Sequence, residues 1–215
     1  MCGIIGYVGE KQALPVLIEG LKRLEYRGYD SAGICISDKD ELKIIKKKGK
    51  ISELLKEIKS EELKGHIGIA HTRWATHGVP SDVNAHPHLS KSRNIAIVHN
   101  GIIENYSALK KLVKNEGFDM VSETDSEIFA HLIEKFNEGD LKKAVVSALK
   151  VVEGTYGLLV ISLDENKIIA AKKSSPLVLG IGENEMFIAS DVPALLEHTR
   201  RVIYLKDNEI AEITK

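Results

Sequence analysis

The amino-acid sequence predicts an α+β fold in which antiparallel β-sheets are covered by helices on their outer sides. Short apolar runs typical of strands outnumber the segments with helical periodicity. These runs cluster before and after two consecutive helical segments, whereas strict alternation of strand and helix would favour a parallel, doubly wound sheet. Two sheets packed face to face could bury the many Ile and Val side chains of this chain.

The helices are predicted from apolar residues that recur with a period of about 3.6. They cover residues 13–24, 105–115, 125–137 and the segment from Asp140 to Gly154, with a shorter amphipathic stretch at 51–58. Pro15 suits the first turn of the first helix. Thr124 and Glu127 have the spacing of a capping box for the third, and Asp140 is a typical N-cap for the fourth.

The strand-like runs are short apolar or alternating stretches bounded by turn residues. They cover residues 4–8, 32–37, 42–46, 67–72, 95–99, 157–162, 167–172, 177–181, 186–189, 202–205 and 209–213. The first of them follows Cys2 directly and is bounded by glycines, which predicts a buried strand instead of a frayed terminus. Cys35 lies inside another apolar run and is interpreted as a buried strand residue.

Composition is that of an ordinary globular protein: 215 residues, 43% hydrophobic and 28% charged, with a formal net charge of −1. We find no internal repeat or Pro/Gly/Ser linker, so one domain is expected over residues 1–215. The balanced charge argues against broad attraction to nucleic acid or a membrane surface, and it favours a small-molecule partner. With no secretory signal and only two cysteines, we expect a cytoplasmic protein with reduced thiols.

Cys2 is a candidate nucleophile because loss of Met1 would leave a thiol and a free α-amine on one residue. The amine has a pKa of about 7.7–8.0 against about 8.5 for the thiol, so it can accept the thiol proton near neutral pH. A retained Met1 would turn that nitrogen into an amide, which cannot act as the base; we therefore expect Met1 to be removed. The alternative is that Cys2 is only a small residue near a processed terminus.

Polar segments between the strand-like runs contain candidate binding residues. Residues 70–78 combine a guanidinium, an indole, two imidazoles and hydroxyl groups. Arg73 is suited to a two-bond contact with a carboxylate. Trp74, Thr76 and His77 fit a loop that covers a ligand, although a single Trp is also commonly a core anchor.

Two further polar segments contain candidate site residues. Asn100 and Gly101 come after an apolar run, and an Asn-Gly pair is often a turn. The pair also offers a side-chain amide and a backbone N–H that could converge on a tetrahedral oxyanion. Asp125 is either a first-turn acid that favours the helix dipole or a partner for an ammonium group.

These residues lie in motifs that resemble the glutaminase domains of the glucosamine-6-phosphate synthase family, which are N-terminal nucleophile amidotransferases. The motifs cover residues 2–6, 23–33, 71–78, 84–88, 99–105 and 122–125. Relatives that transfer glutamine nitrogen to phosphoribosyl pyrophosphate or aspartate share the terminal Cys and an Arg-Gly-x-Asp core. The form of residues 25–30 and of the loop at 73–77 resembles the amino-sugar branch instead.

The resemblance implies a four-layer αββα sandwich of two antiparallel sheets. It also implies that a thiol attacks the side-chain amide of L-glutamine, that ammonia leaves, and that water resolves a γ-glutamyl thioester. The nitrogen would go to fructose 6-phosphate on an isomerase part that this chain does not contain. The full-length enzyme is expected to be a homodimer, and no cofactor is implied.

The resemblance also implies a role for each site residue. The nucleophile would be Cys2, and the oxyanion hole would be formed by Asn100 and Gly101. Arg73 would bind the substrate α-carboxylate, and Asp125 would bind its α-ammonium group. The loop that closes over glutamine would contain Trp74, Thr76 and His77, and the surroundings of Cys2 would be ordered by Arg27 and Gly28.

Other function classes stay open from the residues alone. Eight histidines, among them His71, His77, His86 and His88, suggest a metal-dependent hydrolase. No His-Glu-x-x-His or Cys-x-x-Cys pattern occurs, so we expect no metal ion. A glutamine-sensing module would bind glutamine through Arg73 and Asp125 and would not use the Cys2 thiol for chemistry. A glutaminase domain of the phosphoribosyl pyrophosphate branch is the third alternative.

Overall fold

Two antiparallel β-sheets face each other at the centre of the protein, and helices cover their outer sides. The structure is a computed structural model that describes residues 2–38, 40–59 and 63–215. The strands are β1 (Gly3–Gly9), β2 (Ser31–Asp38), β3 (Glu41–Lys48), β4 (Ile67–Arg73), β5 (His88–Leu89), β6 (Ile95–Ile103), β7 (Gly154–Ser162), β8 (Ile168–Lys173), β9 (Val178–Ile181), β10 (Glu185–Ala189), β11 (Val202–Tyr204) and β12 (Ile210–Ile213). The helices are α1 (Ala13–Arg23), α2 (Ile51–Ile58), α3 (Tyr106–Asn115), α4 (Glu127–Phe136) and α5 (Leu141–Leu149).

The strand order in the larger sheet, sheet A, is β11-β9-β10-β1-β4-β2-β3, and in the smaller one, sheet B, it is β12-β8-β7-β6-β5. Neighbouring strands in both sheets are antiparallel. Among the described helices, none is long and apolar enough to cross a lipid bilayer.

Side-chain alternation along the strands produces the layers. In β1, Ile4 and Val8 pack between the sheets, while Ile5 and Tyr7 pack on the opposite face with α1 and α2. Sheet B behaves in the same way, with one face in the inter-sheet core and the other against α3, α4 and α5. The predicted four-layer αββα sandwich is therefore confirmed.

The predicted start of the third helix is wrong in one respect. Thr124 and Glu127 do not form a capping box, because α4 begins at Glu127 and Ser126 occupies the N-cap position without a side-chain cap. The Glu127 carboxylate instead accepts the backbone N–H groups of Val121 and Ser122 at 2.8 and 2.6 Å. The Glu127 carboxylate thus fixes the segment around Val121 and Ser122 relative to the first turn of α4.

The fourth helix begins as predicted and ends earlier than predicted. The Asp140 side chain accepts the backbone N–H of Lys143, which is the expected N-cap bond. The helix ends at Leu149 and not at Gly154, because Gly154 already starts β7 with a φ of +131°. A Cβ at Gly154 would lie 2.1 Å from the carbonyl oxygen of Ile102 in the neighbouring strand.

Gly33 in β2 allows the loop before β5 to lie directly on sheet A. A Cβ at Gly33 would be 2.1 Å from the carbonyl oxygen of His86. The strand register places Gly33 opposite His71 of β4, and the rings of His71 and His86 stack with centroids 4.2 Å apart. The absence of a side chain at Gly33 therefore sets the position of His86 against His71.

Gly33→Ala should lower the free energy of unfolding by about 1–3 kcal/mol or more, because its new methyl group must displace backbone and not a flexible side chain. Gly157→Ala in β7 is the matched control, since the nearest atom to its Cβ would be a side-chain carbon at 3.3 Å. Urea unfolding of the two variants measures the difference. Equal stability would mean that the His86 loop moves away from β2 at no cost.

Candidate functional site

A cavity of about 400 Å³ opens where β1 begins and β4 ends, with β6 of the other sheet forming its far wall. The β1–β4 register pairs Gly3 with Thr72, so Cys2 and Arg73, the residues just beyond this pair, lie close together. The predicted site residues that line the cavity are Cys2, Arg27, Arg73, Trp74, Thr76, His77, Asn100, Gly101 and Asp125. Gly28, the remaining predicted residue, lies behind the Trp74 ring.

Cys2 is held by its backbone and by its sulfur. The backbone N–H of Trp74 donates to Sγ at 3.1 Å. The Cys2 carbonyl accepts Nη1 of Arg27 at 3.1 Å and Nδ2 of Asn100 at 3.2 Å. Burial raises the pKa of the Cys2 thiol, although the Trp74 amide acts in the opposite direction. The resting site therefore favours the thiol, and attack requires a base.

The predicted base is the Cys2 α-amine. Met1, whose removal would free that amine, lies outside the residues that the structure describes. The expected loss of Met1 therefore stays a prediction.

Arg73 is a buried cation with an unused donor. Its Nη2 donates to the carbonyl oxygens of His77 and Gly78, which folds the loop after β4 around the guanidinium. Nη1 has no hydrogen-bond partner among the described residues, and the nearest carboxylate oxygen, on Asp30, is 4.0 Å away. A buried N–H without an acceptor costs about 1–3 kcal/mol, so this group is suited to receiving an anion.

Asp125 supplies the opposite charge in the same cavity. It is 3% exposed, and its Oδ2 accepts the backbone N–H of Ile103 at 2.8 Å. It lies before α4 and is bonded to the end of β6, which fixes the carboxylate relative to Asn100. The cavity thus contains a buried guanidinium and a buried carboxylate on separate elements.

Two alternative interpretations of the sequence are wrong. Trp74 is 56% exposed, so it is not a core anchor. It covers Gly28, whose φ is +73° and whose Cβ would lie 2.7 Å from the Trp74 ring. Asn100 and Gly101 are not a turn, because both lie within β6, opposite residues 157 and 156 of β7.

Gly101 has a backbone that only glycine adopts readily. Its φ is +142°, and a Cβ would lie 2.1 Å from the carbonyl oxygen of Thr155. The Asn100 side chain turns to the inter-sheet side, where Oδ1 lies 2.9 Å from Nε2 of His71. Sheet A thus supplies the thiol and the guanidinium, and sheet B supplies the amide.

Ser190 and Asp191 support residues next to the cavity and were missed in the sequence. Ser190 Oγ accepts the backbone N–H of Ile4 at 3.0 Å, and Asp191 accepts Nη2 of Arg27 at 3.0 Å. Both residues directly follow the predicted strand at 186–189. That position after an apolar strand is the pattern that identified Arg73, so the signal was present.

Four histidines beside the cavity are buried. The His86 ring contacts His71 in a tilted arrangement and His88 edge to face, with centroids 4.2 and 4.5 Å apart. Nε2 of His99 lies 3.2 Å from the carbonyl oxygen of Thr155 in β7. Burial lowers the pKa of His71 to about 3, and it lowers the pKa values of His86, His88 and His99 below the usual range. Within the described ranges, no three His, Cys, Asp or Glu side chains are grouped to hold a metal ion.

Comparison with known proteins gives consistent matches. The model of a family described as a glutamine amidotransferase domain matches residues 71–197. Glutamine–fructose-6-phosphate aminotransferases (isomerizing) of Clostridium tetani and Thermus thermophilus are 51% and 52% identical, over 100% of this chain and 36% of each relative. The chain thus spans about a third of the length of these curated relatives.

Among solved structures, glutamine phosphoribosylpyrophosphate amidotransferase from B. subtilis is similar over 99% of this chain and 47% of that chain. The TM-score is 0.86 and the sequence identity is 27%.

The buried histidines should make the protein less stable in acid. An unfolded histidine titrates near pH 6.5, whereas these folded groups have lowered pKa values, so the unfolded state binds more protons below pH 6.5. Each such histidine should lower the free energy of unfolding by about 1.4 kcal/mol per pH unit on further acidification. Urea unfolding between pH 6.5 and 5.0 gives the slope.

His86→Gln should remove the contribution of this ring, about 1.4 kcal/mol per pH unit, from that slope. An unchanged slope in the His86 variant would mean that this ring takes up a proton in the folded protein.

Proposed function

The chain belongs to the family of glutamine amidotransferase domains, and we propose that it hydrolyses the side-chain amide of L-glutamine to glutamate and ammonia. One observation supports this above all. A single cavity combines the Cys2 thiol, the unpartnered Nη1 of Arg73 and the buried carboxylate of Asp125. A zwitterionic amino acid needs one fixed cation and one fixed anion for its head group, and a reactive side chain needs the nucleophile.

The reaction begins at the sulfur of Cys2. With Met1 removed, the α-amine takes the thiol proton, and Sγ bonds to the amide carbon of glutamine. The resulting ammonium returns its proton to the leaving nitrogen as the C–N bond breaks, which releases ammonia and leaves a thioester. Water then adds to the thioester carbon, the C–S bond breaks, and glutamate and the free thiol are regenerated.

The developing oxyanion is stabilised by Asn100 and Gly101. An Asn amide has two N–H donors, and among the described residues Nδ2 donates one bond, to the carbonyl of Cys2. The second donor and the Gly101 N–H would serve the oxyanion, in the cavity that Cys2 also lines. Arg27 orders this region through its bond to the Cys2 carbonyl.

The head group of glutamine would be held by Arg73 and Asp125. The α-carboxylate accepts from Nη1 of Arg73, which satisfies the buried donor, and the α-ammonium donates to Asp125. Trp74, Thr76 and His77 lie on the loop folded around the guanidinium, so binding at Arg73 would draw this loop over the substrate. The Trp74 ring packs over Gly28, where any larger residue would collide with it.

Residues 1–215 would act as one glutaminase domain of a longer, cytoplasmic enzyme. The ammonia would pass to an isomerase part that binds fructose 6-phosphate for glucosamine 6-phosphate synthesis, in a homodimer. Support for this acceptor comes from the 51% identity to a glutamine–fructose-6-phosphate aminotransferase, against 27% to the phosphoribosylpyrophosphate amidotransferase.

Cys2→Ala should abolish glutamate release while keeping the unfolding midpoint, because it removes the attacking atom and little core volume. Cys35→Ala is the matched control, since Cys35 is fully buried in β2 and outside the cavity. Glutamate release from L-glutamine is the measurement. Full turnover by the Cys2 variant would exclude the proposed nucleophile, and glutamine binding without turnover by the unmodified chain would favour a sensing module.

Arg73→Lys should lower kcat/KM for glutamine roughly tenfold to a hundredfold, because a single ammonium nitrogen cannot reproduce the planar guanidinium, in which Nη2 holds the His77 and Gly78 carbonyls while Nη1 faces the carboxylate. Asp125→Asn should have an effect of similar size by removing the anion. Arg93→Lys, at an exposed arginine outside the cavity, is the control. If both site variants keep the original kcat/KM, the glutamine head group binds elsewhere.

A further inference from the structure

The orientation of the Asn100 amide can be read from its hydrogen bonds. A backbone carbonyl oxygen only accepts hydrogen bonds, so the group 3.2 Å from the Cys2 carbonyl must be the NH₂ of Asn100. The other end of the amide, Oδ1, therefore points away from Cys2. It lies 2.9 Å from Nε2 of His71.

This contact decides which nitrogen of His71 carries the proton. An amide oxygen cannot donate, so Nε2 must be the N–H. The other nitrogen, Nδ1, is buried without a hydrogen-bond partner among the described residues. A proton on Nδ1 would be an unpaired buried donor, and burial lowers the pKa of His71 to about 3, so the neutral ring with its proton on Nε2 persists at physiological pH.

The His71 ring is itself held in place. It belongs to β4, where it is paired with Ile4 of β1 on one side and Gly33 of β2 on the other. The His86 ring contacts it in a tilted arrangement with centroids 4.2 Å apart, and the His86 carbonyl oxygen lies over Gly33. His71 thus reaches Asn100 from a rigid position between the two sheets.

We propose that His71 is a positioning residue for the oxyanion hole: its Nε2–H holds Oδ1 of Asn100, so that the amide presents its NH₂ to the Cys2 side. This inference rests on the proposed glutamine hydrolysis. Without the His71 donor, only the bond from Nδ2 to the Cys2 carbonyl, at 3.2 Å, would oppose a turn of the Asn100 amide among the described residues. After such a turn, its oxygen would face the developing negative charge, where it would repel the oxyanion instead of stabilising it.

The kinetic test compares substitutions that keep or remove the donor. His71→Leu should lower kcat on the order of a hundredfold, the effect expected for one lost oxyanion donor, with KM changed less than about threefold. His71→Gln places an amide N–H near the position of Nε2 and should recover most of kcat. His131→Leu removes another buried histidine, in α4 and outside the cavity, and should leave kcat unchanged.

A double-mutant cycle separates positioning from a general structural effect. If His71 acts through Asn100, adding His71→Leu to Asn100→Ala should cause no further loss of kcat. Additive losses, or an unchanged kcat in the single His71→Leu variant, would overturn the proposal.

A readout without turnover keeps this test separate from the proposed function. Long-range ¹H–¹⁵N NMR of the full chain should show the His71 ring protonated at Nε2 and not at Nδ1, with the signal assigned by its loss in His71→Gln. A proton on Nδ1 would overturn the inference even if glutamine is hydrolysed. Absence of glutamine hydrolysis by the unmodified chain would instead refute the proposed function, whatever the tautomer.

Discussion

The candidate site depends on the antiparallel pairing of β1 with β4. This ladder places Gly3 opposite Thr72 and brings the Cys2 sulfur to the backbone N–H of Trp74 at 3.1 Å. A shift of the register by one residue would turn every side chain of β1 to the other face of the sheet. Ile4 would leave the inter-sheet core, and the thiol would turn from the cavity towards α1. The apolar pattern of β1 therefore fixes the location of the Cys2 sulfur.

The second constraint is the packing of the two sheets on each other. Ile4 of sheet A, together with Val98 and Leu159 of sheet B, belongs to the apolar cluster that holds the sheets together. Next to Val98 along β6, the same inter-sheet side carries Asn100, which meets His71. A hydrogen bond between two side chains at this end of the core restrains both of them. The packing of the core thus sets the geometry of the amide.

The periodic elements and most site residues could be predicted from the sequence, because both leave local signals. The sequence did not predict which groups form hydrogen bonds with each other. Glu127 had the spacing of a capping box, but its carboxylate bonds to Val121 and Ser122, and local spacing does not distinguish between nearby N–H groups. The position of Asp191 after an apolar strand was a local signal, but its partner, Arg27, is distant in sequence and becomes a neighbour only when β10 pairs with β1. Whether Asn100 turned or stayed extended was decided by the β6–β7 register.

The polar groups of the site are positioned by the fold before any reaction begins. Arg73 is held by two backbone carbonyls, and Asp125 by the N–H of Ile103, so neither charge has to be reoriented to meet a head group. Donors that are fixed in advance stabilise a transition state without the cost of reorganising solvent. That arrangement leaves an N–H group of Arg73 buried without an acceptor in the described part of the chain, a local cost that the three apolar cores must offset. An anionic group that satisfies this donor recovers the cost, which couples substrate recognition to the stability of the sandwich.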